Sequence, residues 1–76
     1  MKKHGPNVWV VRRGSRFSIR EEGSHRYLVP RMPQYAAIRI ARLIARENRS
    51  ELIVQGRSGQ VRARDSHGFD SRQREG

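Results

Sequence analysis

The stretch PQYAAIRIARLIAREN, residues 33–48, decides the fold, because it carries the strongest helical pattern in the chain. A proline opens the stretch, at a position where its missing N–H costs no helical hydrogen bond, and no glycine interrupts it. At about 100° per residue, one group of apolar residues falls within an arc of about 120°. That group is Ala37, Ile38, Ala41, Ile44 and Ala45. The pattern predicts an amphipathic helix packed on a sheet.

A second apolar stripe, formed by Ala36, Ile40 and Leu43, lies outside that arc. The apolar surface of the predicted helix is therefore wider than the ~100° stripe that one sheet needs. Two interpretations remain open. Either the sheet curls around the helix and covers the stripe, or the stripe packs against a second subunit or another partner.

A row of basic residues occupies the remaining side of the predicted helix. Its members are Arg39, Arg42, Arg46 and Arg49, with Tyr35 among them. Cationic head groups beside a stacking ring are typical of surfaces that bind nucleic acid. The alternative interpretation is an ordinary solvated helix face.

Short strands are predicted on both sides of the helix, bounded by glycine turns and prolines. They cover residues 7–12, 16–21, 25–29, 51–55 and 60–64. The order is β-β-β-α-β-β, which predicts an α+β fold with an antiparallel sheet and one helix packed on one face. Trp9 is interpreted as the central core residue of the first strand, and an exposed stacking tryptophan is the alternative.

The chain length predicts one domain. With 76 residues, a single core is marginal in size. Residues 1–6 are expected to be a flexible N-terminus, residues 7–65 the α+β domain, and residues 66–76 a disordered basic tail. Cysteine is absent, and the longest apolar run is the four residues 8–11. These features exclude a disulfide framework and a membrane span, and predict a soluble, cytoplasmic protein.

Positive charge dominates the composition. Lysine and arginine number 17 against 7 acidic residues, for a formal net charge of +10. Such a surplus attracts polyanions. A second, weaker basic face is expected on the side of the sheet away from the helix, from Arg16, Arg20, Arg62 and Arg64. The charge is thus divided between two sides, whereas a dedicated groove binder concentrates it.

Catalytic and metal-binding patterns are absent from the sequence. The three histidines are scattered, without ligand spacing, so no metal site is predicted. The run Asp65-Ser66-His67 contains the residue types of a hydrolase triad, but consecutive residues do not reach triad geometry, and it is interpreted as a turn. The turn at residues 56–59 precedes a strand instead of a helix, which argues against a phosphate-binding loop. No enzyme activity and no cofactor are predicted.

Several segments resemble one known family. They are SELIVQGRSGQVR (50–62) followed by DSHG (65–68), WVV (9–11) with FSIREEG (17–23), and the helix pattern QxxAIxxARxxAR (34–46). The chain resembles a family of small bacterial proteins catalogued only as a domain of unknown function, over about residues 7–70. The resemblance implies the fold and a bacterial origin, and it supplies no activity, ligand or catalytic residue.

The leading functional prediction is a non-catalytic module that binds DNA or RNA phosphates with low sequence specificity. The alternative is a homodimeric or adaptor module that uses the Ala36, Ile40 and Leu43 stripe, with the charge serving solubility. Neither a membrane nor a small-molecule substrate is expected as a partner.

Overall fold

A computed structural model of the protein describes residues 4–66 and confirms the α+β class. Four strands and one helix follow one another in the order β-β-α-β-β. They are β1 (Val8–Arg13), β2 (Arg16–Glu21), α1 (Gln34–Asn48), β3 (Glu51–Gln55) and β4 (Val61–Ser66).

The sheet is mixed, with strand order β2-β1-β3-β4. β1 pairs antiparallel with β2, and β3 pairs antiparallel with β4, as the two hairpins predict. The two central strands, β1 and β3, run parallel, so the prediction of a purely antiparallel sheet is wrong at this pair. The reason is that α1 crosses one face of the sheet and returns the chain in the direction of β1, as parallel pairing requires.

The third strand predicted at residues 25–29 does not form. Backbone contacts from this region to β2 are sparse: Leu28 donates to the Ile19 carbonyl at 2.7 Å, and Met32 and Phe17 exchange two bonds of 2.8 Å. Pro30 lies between these contacts and has no N–H to donate, so a continuous ladder is impossible there.

The core lies between α1 and the helix-facing side of the sheet. Its strand residues include Val10, Ile19 and Leu52, which have no exposed surface. The fully buried positions of α1 are all alanine: Ala37, Ala41 and Ala45. Because these side chains are small, they let the helix approach the sheet, and Ile38, Ile40 and Ile44 pack against the core from partly buried positions.

Trp9 is not in this core, contrary to the prediction. Side chains alternate along a strand, and Val8 and Val10 face the helix, so Trp9 projects from the opposite face. It is half-buried there, in register with Arg20 on β2 and with Ile53 on β3.

The described N-terminal residues contact the end of α1. Gly5 donates to the Asn48 carbonyl at 2.7 Å, and the Asn48 side chain donates to the Pro6 carbonyl at 3.0 Å. Residues 1–3 and residues 67–76 of the predicted 66–76 tail lie outside the described part of the chain, and Ser66 is the last residue of β4. No helix among residues 4–66 is both long and apolar enough to cross a bilayer.

Candidate functional site

The candidate site is the outer face of α1, which points away from the sheet. The alanines at every fourth position place one side of the helix on the sheet, so the residues about 180° away from them face solvent. Tyr35 is 70% exposed and Leu43 is 60% exposed. Arg39 and Arg46 are exposed on the same side.

The second apolar stripe is only partly covered. Ile40 packs against the edge of the core, together with Ile38 and Ile44. Leu43 has no such cover, because it lies further from the sheet around the helix. Ala36 and Ile40 are therefore half-buried, whereas most of the Leu43 side chain lies in solvent.

The two stripes predicted as alternative sites line a single shallow groove. Its lining residues are Tyr35, Ala36, Arg39, Ile40, Arg42 and Leu43, and its volume is about 520 Å³. The lining combines three apolar side chains with two arginines and a tyrosine. Such a groove suits a partner that combines an apolar or aromatic surface with negative charge.

The arginine row of α1 is nearly free of acidic neighbours. Arg42 approaches Asp65 on β4 at 3.8 Å, with both side chains about half exposed. Within residues 4–66, Arg39 and Arg46 have no hydrogen bond or ion pair through their side chains. Arg49 does not extend the row: it lies beyond the last turn in the left-handed conformation (φ 54°) and caps the helix through its backbone N–H.

A second depression of about 620 Å³ adjoins the start of α1. Arg12 and Arg57 contribute to its lining, and so does Tyr35, which therefore borders both depressions. The sequence reasoning did not place Arg12 or Arg57 in any site. The sequence feature that could have indicated Arg57 is the turn at residues 56–59. This turn joins β3 to β4 and brings Arg57 to this end of the sheet.

The predicted second basic face is only partly assembled. Arg62 donates to the Gln34 side chain at 3.0 Å, so it contacts the helix and does not project from the opposite face. An irregularity in pairing at Val54/Gln55 shifts the register of β4 at this position. Arg64 pairs with Glu51 at 3.6 Å, and Arg20 donates to the Ser24 carbonyl at 3.2 Å. Of the four arginines, only Arg16 has no side-chain partner among residues 4–66.

A polar network on this face involves residues that the sequence reasoning did not select. The Trp9 indole N–H donates to the Glu22 carboxylate at 3.0 Å, and the Asn7 side-chain amide donates to the same oxygen at 3.3 Å. Hydrogen bonds to the charged form favour it. The bond from Trp9, and then that from Asn7, hold the pKa of the Glu22 carboxyl below its ordinary value of 4.5.

Acid titration should therefore change the fluorescence of Trp9, the only tryptophan of the chain, with a midpoint below pH 4.5. A lowered folded-state pKa contributes stability above the unfolded-state pKa, and this contribution is lost as the pH falls through the folded-state value. The Glu22→Gln variant keeps an acceptor oxygen but cannot ionise, so its fluorescence should not titrate in this range.

Glu47→Gln is the matched control, because Glu47 is an exposed acid on α1 and the Trp9 indole bonds to Glu22 instead. Circular dichroism at each pH shows whether the helix is intact during the titration. A midpoint at or above pH 4.5 in the wild type, or an unchanged transition in Glu22→Gln, would contradict the assignment.

No group of three or more histidine, cysteine or acidic side chains suited to a metal ion occurs among residues 4–66. The described part of the site consists of arginine and tyrosine side chains around an apolar groove. Such residues bind anions and ring systems through charge, hydrogen bonds and stacking.

Comparisons with known proteins establish the family of the chain. No curated protein and no solved structure matches the chain. One family model matches residues 8–67, a range that begins at β1 and includes the four strands and the helix described among residues 4–66. The chain therefore belongs to the bacterial family described as "Uncharacterized protein conserved in bacteria (DUF2188)".

Proposed function

We propose that the protein is a non-catalytic module that binds nucleic-acid phosphates with low sequence specificity through the outer face of α1. The observation that carries the proposal is the row of exposed arginines at positions 39, 42 and 46, with Asp65 as the only acid that contacts it among residues 4–66. This positive charge is available to an external polyanion because so little of it is neutralised within the described fold.

The spacing of the row suits a phosphate backbone. Arg39 and Arg46 lie about 10 Å apart along the helix axis, at 1.5 Å per residue. Each guanidinium is a planar, permanently charged fork that can donate two hydrogen bonds to one phosphate. Contacts of this type position a protein on nucleic acid and carry no sequence information, which is the basis for low specificity.

Tyr35 adds a ring to this surface. It is 70% exposed and borders both depressions, the one beside Arg39 and the one beside Arg57. Base–aromatic stacking contributes about 1–3 kcal/mol per base on single strands and is tolerant of sequence. A single strand that follows the arginine row would therefore meet a stacking ring at the first turn of the helix.

The opposite face of the sheet is less suited to phosphate binding. Arg64 pairs with Glu51, and the Arg13 guanidinium lies over the Tyr27 ring at 3.9 Å. The Glu22 carboxylate adds negative charge beside Trp9. Binding to this face would require several internal contacts to be broken, whereas Arg39 and Arg46 can bind without such a loss.

Replacing Arg42 and Arg46 by glutamine should weaken binding to labelled duplex DNA and to a single strand. Each phosphate contact contributes roughly one unit to the magnitude of the slope of log K against log salt. For the double variant, this magnitude should therefore fall by about two units. Fluorescence anisotropy at several salt concentrations measures the slope. The wild-type dissociation constant is expected in the micromolar range at physiological salt, as is usual for non-specific binding.

The matched control is Arg16→Gln/Arg26→Gln, which removes the same charge from exposed arginines on the β2 side of the molecule. If the control variant loses as much affinity and slope as the Arg42/Arg46 variant, the attraction is a property of net charge and the proposal is wrong. Absence of wild-type binding at physiological salt would also contradict it. Both variants change exposed side chains, so their circular dichroism should match that of the wild type.

A further inference from the structure

Leu43 projects into solvent from a helix that contributes only alanine to the fully buried core. Residues 4–66 form a small domain, which has little apolar surface to bury within one copy. Burial of exposed apolar surface contributes about 25 cal/mol per Å². Covering Leu43 and the exposed part of Ile40 therefore favours association, provided that the charged residues around them also find partners.

The charges around Leu43 have a pattern that identifies such a partner. Arg39 lies one turn before Leu43, and Glu47 lies one turn after it. Both side chains are exposed, and neither has an ion-pair partner among residues 4–66. Along the row 39–43–47, the order is positive, apolar, negative. In an antiparallel second copy the row runs in the opposite direction, so each charge faces a charge of opposite sign.

We infer that two copies of the chain associate through α1 as an antiparallel two-fold dimer centred on Leu43. In this arrangement the partner's Arg39 lies level with Glu47, and the partner's Glu47 lies level with Arg39. Residues four apart form a ridge on a helix, and packing such ridges of two helices together at about −50° is the commonest arrangement in globular proteins. The ion pair therefore occurs twice, as two-fold symmetry requires.

The same symmetry places together the arginines that lie outside the interface. The two-fold axis of such a dimer is perpendicular to both helices. Rotation about it leaves a given flank of the helix on the same side of the dimer in both copies. Arg42 and Arg46 from both copies consequently line one side of the helix pair. The dimer leaves this part of the arginine row open and doubles its charge.

The dimer does not rest on nucleic-acid binding, and the two proposals are tested separately. Dimerisation is measured on the protein alone, with variants of Arg39 and Glu47. Nucleic-acid binding is measured with variants of Arg42 and Arg46. In the dimer Arg39 is taken up by the ion pair, so phosphate binding there depends on Arg42 and Arg46, and either test can fail without affecting the other.

Charge exchange across the pair provides the test. Sedimentation velocity is measured on the full chain from micromolar to millimolar concentration. The proteins compared are the wild type, Arg39→Glu, Glu47→Arg and the double exchange, which carries both substitutions. Each single variant places like charges opposite each other twice in the dimer, so its dissociation constant should rise by about tenfold or more. The double exchange restores two opposite-charge pairs and should return the constant to near the wild-type value.

Net charge provides an internal control, because Arg39→Glu lowers it by two and Glu47→Arg raises it by two. If overall repulsion governed association, the first variant would dimerise more strongly and the second more weakly, and that result would overturn the inference. A wild type that remains monomeric at millimolar concentration would overturn it too. Failure of the double exchange to restore the dimer would exclude the antiparallel arrangement.

Leu43→Glu tests the apolar centre of the same interface. The side chain is 60% exposed, so the monomer should remain folded by circular dichroism while the dimer is lost. A Leu43→Glu variant that dimerises as the wild type does would overturn the inference.

Discussion

Replacing Leu52 by alanine is expected to destabilise the protein by about 2–5 kcal/mol, the usual range for a buried leucine. Leu52 has no exposed surface and belongs to the core on the central strand β3. For residues 4–66, the usual 0.05–0.15 kcal/mol per residue gives a total stability of about 3–9 kcal/mol. The variant should therefore lose a large fraction of its stability, and urea unfolding followed by circular dichroism measures the loss.

Leu28→Ala is the matched control, because the chemical change is the same and Leu28 is 46% exposed. It lies in the segment beside β2 that forms no strand. The urea midpoint of Leu28→Ala should differ from that of the wild type much less than the urea midpoint of Leu52→Ala does. Equal losses at the two positions would show that the packing of β3 against α1 is not what the structure describes.

Enlarging the central alanine of α1 should have the next largest effect. Ala41 is completely buried between the helix and the sheet, and the alanines one turn before and after it are buried as well. The added branched group of Ala41→Leu has no space unless the helix moves away from β1 and β3. Overpacking of this kind costs about 1–3 kcal/mol, and each kcal/mol lowers the melting temperature of so small a domain by about 4–8 °C.

Ala36→Leu makes the same change in the same helix, at a half-buried position that borders the outer groove. The added atoms can extend into solvent there, and leucine forms helices nearly as well as alanine. Thermal unfolding at low protein concentration should show a small shift for Ala36→Leu and a large decrease for Ala41→Leu. If both variants melt at the wild-type temperature, α1 does not lie as close to the sheet as described.

Local patterns predicted the elements of this fold that depend on nearby residues. The apolar periodicity of residues 33–48 predicted α1, and alternation at residues 16–21 predicted β2, because both patterns record which side of one element is buried. Glycine turns were predicted between the strands, and Gly14 and Gly59 adopt φ values of 67° and 86° in the two hairpin turns. The arginine row of α1 followed from the same periodicity, and its exposed members are at the predicted positions.

Pairing between distant strands could not be predicted in the same way. Trp9 belongs to the continuous apolar run of residues 8–11, and such a run does not show which of its residues face the helix. Residues 25–29 have the composition of a strand, but Pro30 and the few available backbone bonds prevent a ladder. Arg62 contacts the helix side because of the irregularity in β3–β4 pairing, a feature of two strands together and not of either one.

The amino-acid sequence by itself determined the helix, the two hairpins, the α+β class and the surplus of positive charge, because each depends on short-range periodicity, turn residues or composition. Only the tertiary structure decided that β1 and β3 are parallel neighbours, that Trp9 bonds to Glu22 on the face away from the helix, and that Leu43 stays exposed beside Arg39. Each of these features depends on which distant segments cover a given side chain. The physical reason is that burial is a property of the assembled layers, and the crossover of α1 sets how those layers meet.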